Sequence, residues 1–74
     1  MKNQPIITGI TRDEFEDTLY NPDLVVVQKD VTGHMEHTQI AYVYENAGDT
    51  LPIYGMFRQI SDDGTEYWKE TYNA

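Results

Sequence analysis

The chain has 74 residues, with 13 Asp and Glu against 5 Lys and Arg, a net charge of −8 and no cysteine. That length predicts a single small domain over residues 1–74 with a thin core, because so short a chain buries only about 60% of its unfolded surface. The charge repels phosphate backbones and anionic headgroups, arguing against direct nucleic-acid or membrane binding. The missing cysteine removes disulfide frameworks, thiolate zinc sites and thiol nucleophiles.

Met1-Lys2-Asn3-Gln4-Pro5 has no apolar signal region and no stretch nears the ~20 apolar residues of a membrane span, so an intracellular, cytoplasmic protein is expected. Residues 4 to 9, with Ile6, Ile7 and Thr8, read as an edge strand or else a tail. Thr11 as N-cap with Glu14 three residues on makes a capping box, and Ile10 closes on Phe15 as a hydrophobic staple. Asn21-Pro22 stops the segment, since the residue before proline is pushed out of the α region. One helix over about 11–20 is predicted. Phe15 and Leu19 share its inner face, and its outer side is almost wholly acidic.

Leu24-Val25-Val26-Val27 is β-branched and predicts a strand covered on both faces, with Gln28, Lys29 and Asp30 leading to a turn around Thr32-Gly33. Thr38 to Glu45 alternates, with Ile40, Tyr42 and Tyr44 on one side and Ala41, Val43 and Glu45 on the other. Asn46 to Thr50 predicts a hairpin loop and Leu51 to Ile60 the next strand, Gly55 marking a bulge or a close approach. Asp63-Gly64 predicts a tight hairpin by supplying a positive φ, and Glu66 to Tyr72 forms the last strand. The expected fold is α+β, one short helix packed on a 4–5-stranded, mainly antiparallel sheet.

Little of this points to catalysis. His34 and His37, with Glu36 and Asp30 nearby, could offer nitrogen and oxygen ligands, but no second ligand pair follows, so neither a metal nor another cofactor is expected. No Gly-rich phosphate loop, nucleophile elbow or zinc-protease motif occurs, so the reading is of a protein that is not an enzyme.

The acids and aromatics carry more information. Asp13 and Glu14 sit in the first helical turn, where the dipole favours negative charge. Glu16 and Asp17 lie beyond it, and the like-charged pair Asp13/Asp17 costs about 0.2–0.5 kcal/mol. In "SDDGTEYWKE", Asp62, Asp63, Glu66 and Glu70 face Lys69 alone, and with Thr11 to Asp17 these 17 residues hold −6 of the −8. Tyr20, Tyr67 and Trp68 lie beside the acids, and amphipathic rings of this kind favour interfaces.

On "TRDEFED" and "SDDGTEYWKE" with interspersed tyrosines, the chain resembles the small acidic phage proteins that disable host machinery by mimicking nucleic acid, above all the sliding-clamp inhibitor type of staphylococcal phage Twort. That resemblance implies a homodimer that blocks the DNA channel of a host replication clamp. Asp13, Glu14, Glu16, Asp17, Asp62, Asp63, Glu66 and Glu70 would then stand in for phosphates, and Tyr20, Tyr67 and Trp68 would anchor. No Gln-led clamp-binding pentapeptide is present, so such a contact would run through charge. The competing expectation is an interaction module that uses an aromatic sheet face, its acids serving solubility alone.

Overall fold

A computed structural model describes residues 6–72. The element order is β1 (Ile6–Gly9), α1 (Arg12–Leu19), β2 (Val25–Thr32), β3 (Glu36–Tyr44), β4 (Tyr54–Ser61) and β5 (Gly64–Thr71). All pairings are antiparallel and the sheet runs β1-β5-β4-β3-β2, so the first strand closes one edge and the second forms the other. This is the expected α+β fold. The strand expected from residue 4 pairs from Ile6, and residues 4 and 5 lie outside the described part of the chain.

The helix starts as its sequence dictates. Thr11 takes an extended N-cap conformation, its Oγ1 accepts from the Glu14 N–H at 3.1 Å, and the Glu14 carboxylate accepts from the Thr11 N–H at 3.1 Å. Ile10 packs against the cluster containing Phe15. Tyr20 is the C-cap, its N–H donating to the Glu16 carbonyl at 3.0 Å.

Phe15 is fully buried and packs with Ala41 of β3 and Met56 of β4, ringed by Ile10, Leu19, Val26, Tyr54 and Tyr67. That cluster sets the parity of every strand. Ala41 and Val43 pair with Met56 and Tyr54, and Met56 and Arg58 pair with Lys69 and Tyr67, so these side chains share the helix-covered face. Their sequence neighbours Ile40, Tyr42, Phe57 and Trp68 point the other way.

Two expectations need correction. Val25 to Val27 is not covered on both faces: β2 is an edge strand that extends to Thr32, and Val27 remains 51% exposed. Val26 packs against the Phe15 cluster on the helix side, whereas Val25 and Val27 point to the opposite face, which no element of the described chain covers. The third connection runs to Ile53 and β4 begins at Tyr54, because Pro52 has no N–H to give the ladder; pairing resumes when the Ile53 N–H donates to the Val43 carbonyl at 2.7 Å. The tight hairpin expected at Asp63-Gly64 is present: Gly64 supplies the positive φ (134°), and Asp62 and Asp63 form the two-residue connection with negative φ. The Ser61 Oγ donates to the Gly64 carbonyl at 3.2 Å and closes that turn.

Candidate functional site

The residues singled out in the sequence divide among three places. Asp13, Glu14, Glu16 and Asp17 are on α1 and Asp62 and Asp63 are at the tip of the β4–β5 hairpin. Glu66, Trp68 and Glu70 are on the sheet face away from the helix, because they alternate with Tyr67 and Lys69. The five-stranded sheet therefore stands between the helix acids and Glu66 and Glu70.

Several of these acids have internal work. Glu14 closes the capping box. The Glu16 carboxylate accepts from Arg12 Nε at 3.3 Å and from Arg58 Nη1 at 3.4 Å. Glu70 accepts from the Trp68 indole at 3.0 Å and from the Tyr72 hydroxyl at 3.2 Å. Asp13, Asp17, Asp62, Asp63 and Glu66 make no side-chain hydrogen bond or ion pair among the described residues and are exposed.

The three aromatic candidates also separate. Tyr67 belongs to the core face, its ring edge-on to Phe15 at 5.8 Å. Tyr20 caps the helix and is 71% exposed, beside a shallow recess lined by Glu16, Asp17, Asn21 and Pro22. Trp68 lies flat on Phe57 on the far face, the rings 5.2 Å apart and 7° from parallel.

That far face is the most developed surface of the molecule. Phe57 also meets Tyr42 edge-on at 6.2 Å. The two rings come together over Gly55, where a Cβ would stand 3.0 Å from Phe57 Cε1 and 3.2 Å from Tyr42 Cδ1. Gly55 keeps its register opposite Tyr42, so it marks a close approach of side chains rather than a bulge. Ile40 and Phe57 are buried by their neighbours, while Ile7, Val27 and Val31 stand exposed around them. No element of the described chain covers this face. Its aromatic centre is held rigidly: Glu70 fixes the indole and the Tyr72 hydroxyl, and burial, the Glu70 charge and the hydrogen bond raise the ionisation of Tyr72 above the ordinary tyrosine range.

On the helix side the sequence reading missed Arg58. Its guanidinium sits 4.7 Å above the Phe15 ring and 6.0 Å from that of Tyr67, donates to Gln39 Oε1 at 2.8 Å and reaches Glu16. It ties α1 to three strands from inside the core rim. A cation at a helix-facing position of an alternating strand was the available signal.

His37 Nε2 lies 3.6 Å from the Asp30 carboxylate, and His34 is in the β2–β3 turn. Among the described residues no group of three or more His, Asp or Glu stands close enough to hold a metal ion, and no helix is long and apolar enough to cross a membrane.

Comparison with known proteins gives no clamp inhibitor. No solved structure matches the chain. It is 57% identical over 67 residues, spanning 90% of this chain and 94% of the relative, to the protein named Protein cef of Enterobacteria phage T4. The sequence profile described as the Phage T4 Cef protein family matches residues 1–71. With a phage relative at that identity and a family match across nearly its whole length, the chain belongs to the phage T4 Cef protein family.

Proposed function

We propose that this phage protein is a non-catalytic binding protein that works in the host cytoplasm by docking another polypeptide onto the open face of its sheet. The observation that carries this reading is the organised apolar surface built from Ile40, Tyr42, Phe57 and Trp68, packed over Gly55 and covered by nothing in the described chain. Contiguous apolar surfaces of this kind mark interaction sites, and buried aromatic anchors ringed by polar groups dominate binding energy.

The mimicry reading, in which the acids occupy the DNA channel of a sliding clamp, draws its support from Asp13, Asp17, Asp62 and Asp63, which are exposed and make no side-chain hydrogen bond or ion pair among the described residues. It asks the helix acids and residues 62–70 to form one electronegative relief. The sheet separates Glu66 and Glu70 from α1, and Glu14, Glu16 and Glu70 are engaged within the fold. The aromatic face therefore has the stronger physical support.

Capture from phage-infected host extract with three forms of the tagged protein separates the two. Tyr42→Ser with Val27→Ser should abolish capture and Asp13→Lys with Asp17→Lys should leave it intact, whereas mimicry reverses both outcomes. Retention that disappears on nuclease treatment would also overturn the proposal, because the ligand would then be a nucleic acid.

A further inference from the structure

The open face carries four ionisable side chains besides its tyrosines, Lys29, Glu36, Glu66 and Glu70; Glu36 lies at the far end of β3 opposite Ser61, and the placement of the other three is directional. Strand register puts Lys29, Ile40, Phe57 and Trp68 in one row across the sheet, from the β2 edge to β5. Glu66 and Glu70 flank Trp68 two residues away on either side along β5. Lys29 and Glu66 make no hydrogen bond or ion pair among the described residues, and both are exposed. They stand three strand spacings apart, roughly 14 Å at ~4.8 Å each, too far to meet within one chain.

We infer that a second copy of this chain covers the open face, around a two-fold axis parallel to the strands and lying between β3 and β4. This rests on the proposal that the face docks a polypeptide, and it names that polypeptide. Such an axis reverses the row, setting Lys29 of one copy over Trp68 of its partner and between the partner's two carboxylates, while Ile40 meets Phe57. Because the contact is isologous, every pairing occurs twice.

The charge pattern selects this axis over the alternative. A two-fold axis perpendicular to the strands would bring β2 over β2 and β5 over β5, opposing Lys29 with Lys29 and Glu66 with Glu70, and like charges across an interface are repelled. Both axes keep the strand directions aligned at the ~10 Å separation of packed sheets, so the charges decide between them. Four strands of eight residues present a footprint of roughly 500 Å² per copy at ~3.3 by ~4.8 Å per residue, and standing side chains enlarge it toward the ~800 Å² per partner of a stable interface.

A second copy also supplies what the monomer lacks. Among the described residues the buried apolar set is only Phe15, Ile40, Ala41, Val43, Met56 and Phe57, the chain has no cysteine for a disulfide, and oligomerisation is a usual remedy in so small a domain. In the pair the helices lie on the two outer surfaces, so Asp13 and Asp17 point away from the contact.

Sedimentation equilibrium of the full chain and two charge reversals tests this. The wild-type chain should sediment as a dimer at micromolar concentration, and Lys29→Glu alone or Glu66→Lys alone should weaken it at least tenfold. An equimolar mixture of the two variants should restore dimer, because the reversed charges then face opposite partners. A chain that is monomeric throughout would overturn the self-association while leaving the proposed docking function to its own capture experiment. A dimer indifferent to both substitutions, or a mixture that fails to recover, would overturn the strand-parallel arrangement; circular dichroism of each variant confirms that it folds.

Discussion

The indole N–H of Trp68 donates to the Glu70 carboxylate 3.0 Å away, two residues along the same strand and on the same face. The other oxygen of that carboxylate accepts from the Tyr72 hydroxyl, so one acid fixes two aromatic side chains. Charge-assisted hydrogen bonds contribute about 1.5–3 kcal/mol at most, and partial exposure lowers that. Glu70→Ala should therefore cost about 1 kcal/mol and give Trp68 a more solvent-exposed emission, with Glu70→Gln intermediate. Urea denaturation followed by tryptophan fluorescence reads both quantities at once.

Tyr72 adds a pH dependence of known sign. Its ionisation is raised in the folded chain, first by burial and then by the Glu70 charge and hydrogen bond. In the unfolded chain the phenol ionises near pH 10. The folded state thus holds its proton more tightly, and the stability involved is complete below pH 10 and declines as pH rises above it. Tyr72→Phe should show a shallower loss of stability above pH 10 than the wild-type chain. An equal slope in both, measured by thermal melts across that range, would contradict the assignment.

Arg58 should be among the least replaceable charged residues. It is mostly buried, with its side chain 18% exposed, and combines a cation–π contact with hydrogen bonds to Gln39 and Glu16. Arg58→Ala should destabilise by about 2–3 kcal/mol, from lost packing on Phe15 and the lost hydrogen bonds to Gln39 and Glu16, the latter keeping only Arg12. Arg58→Lys should recover only part, since an ammonium cannot reproduce the planar fork. Chemical denaturation of the two variants checks the order.

Gly55→Ala places a methyl 3.0 Å from the Phe57 ring and 3.2 Å from Tyr42. Forcing rings off their rotamers costs about 1–3 kcal/mol. The expected outcome is a loss of that size, with changed Phe57 and Tyr42 resonances and an intact helix-side core. A neutral substitution by differential scanning calorimetry would contradict the account of Gly55.

Local signals were legible where one short segment decides its own structure. The Thr11–Glu14 capping box, the Asn21-Pro22 stop and the alternation in Thr38 to Glu45 all depend on neighbours in sequence, and the fold class follows from them. Grouping was not legible, because it depends on which strand neighbours which. Asp13 and Glu70 look alike in composition, but a one-residue change of parity puts Glu66 and Glu70 on the far face while Tyr67 enters the core. Val25 to Val27 reads as fully buried until the sheet order makes β2 an edge and parity sends Val25 and Val27 to the face opposite the helix, only Val26 reaching the core cluster. Arg58 was overlooked because its partners lie 19 and 42 residues away.

Trp68 is the chain's single tryptophan and lies within the open face, so it reports on that face alone. The most direct measurement is the fluorine NMR signal of protein labelled with 5-fluorotryptophan, recorded in dilute buffer, in concentrated buffer and in phage-infected host extract. Coverage of the face predicts a Trp68 resonance that shifts or broadens when a second chain is available, and returns on dilution. One resonance of unchanged position and width under all three conditions, with the protein folded, would show that nothing docks there.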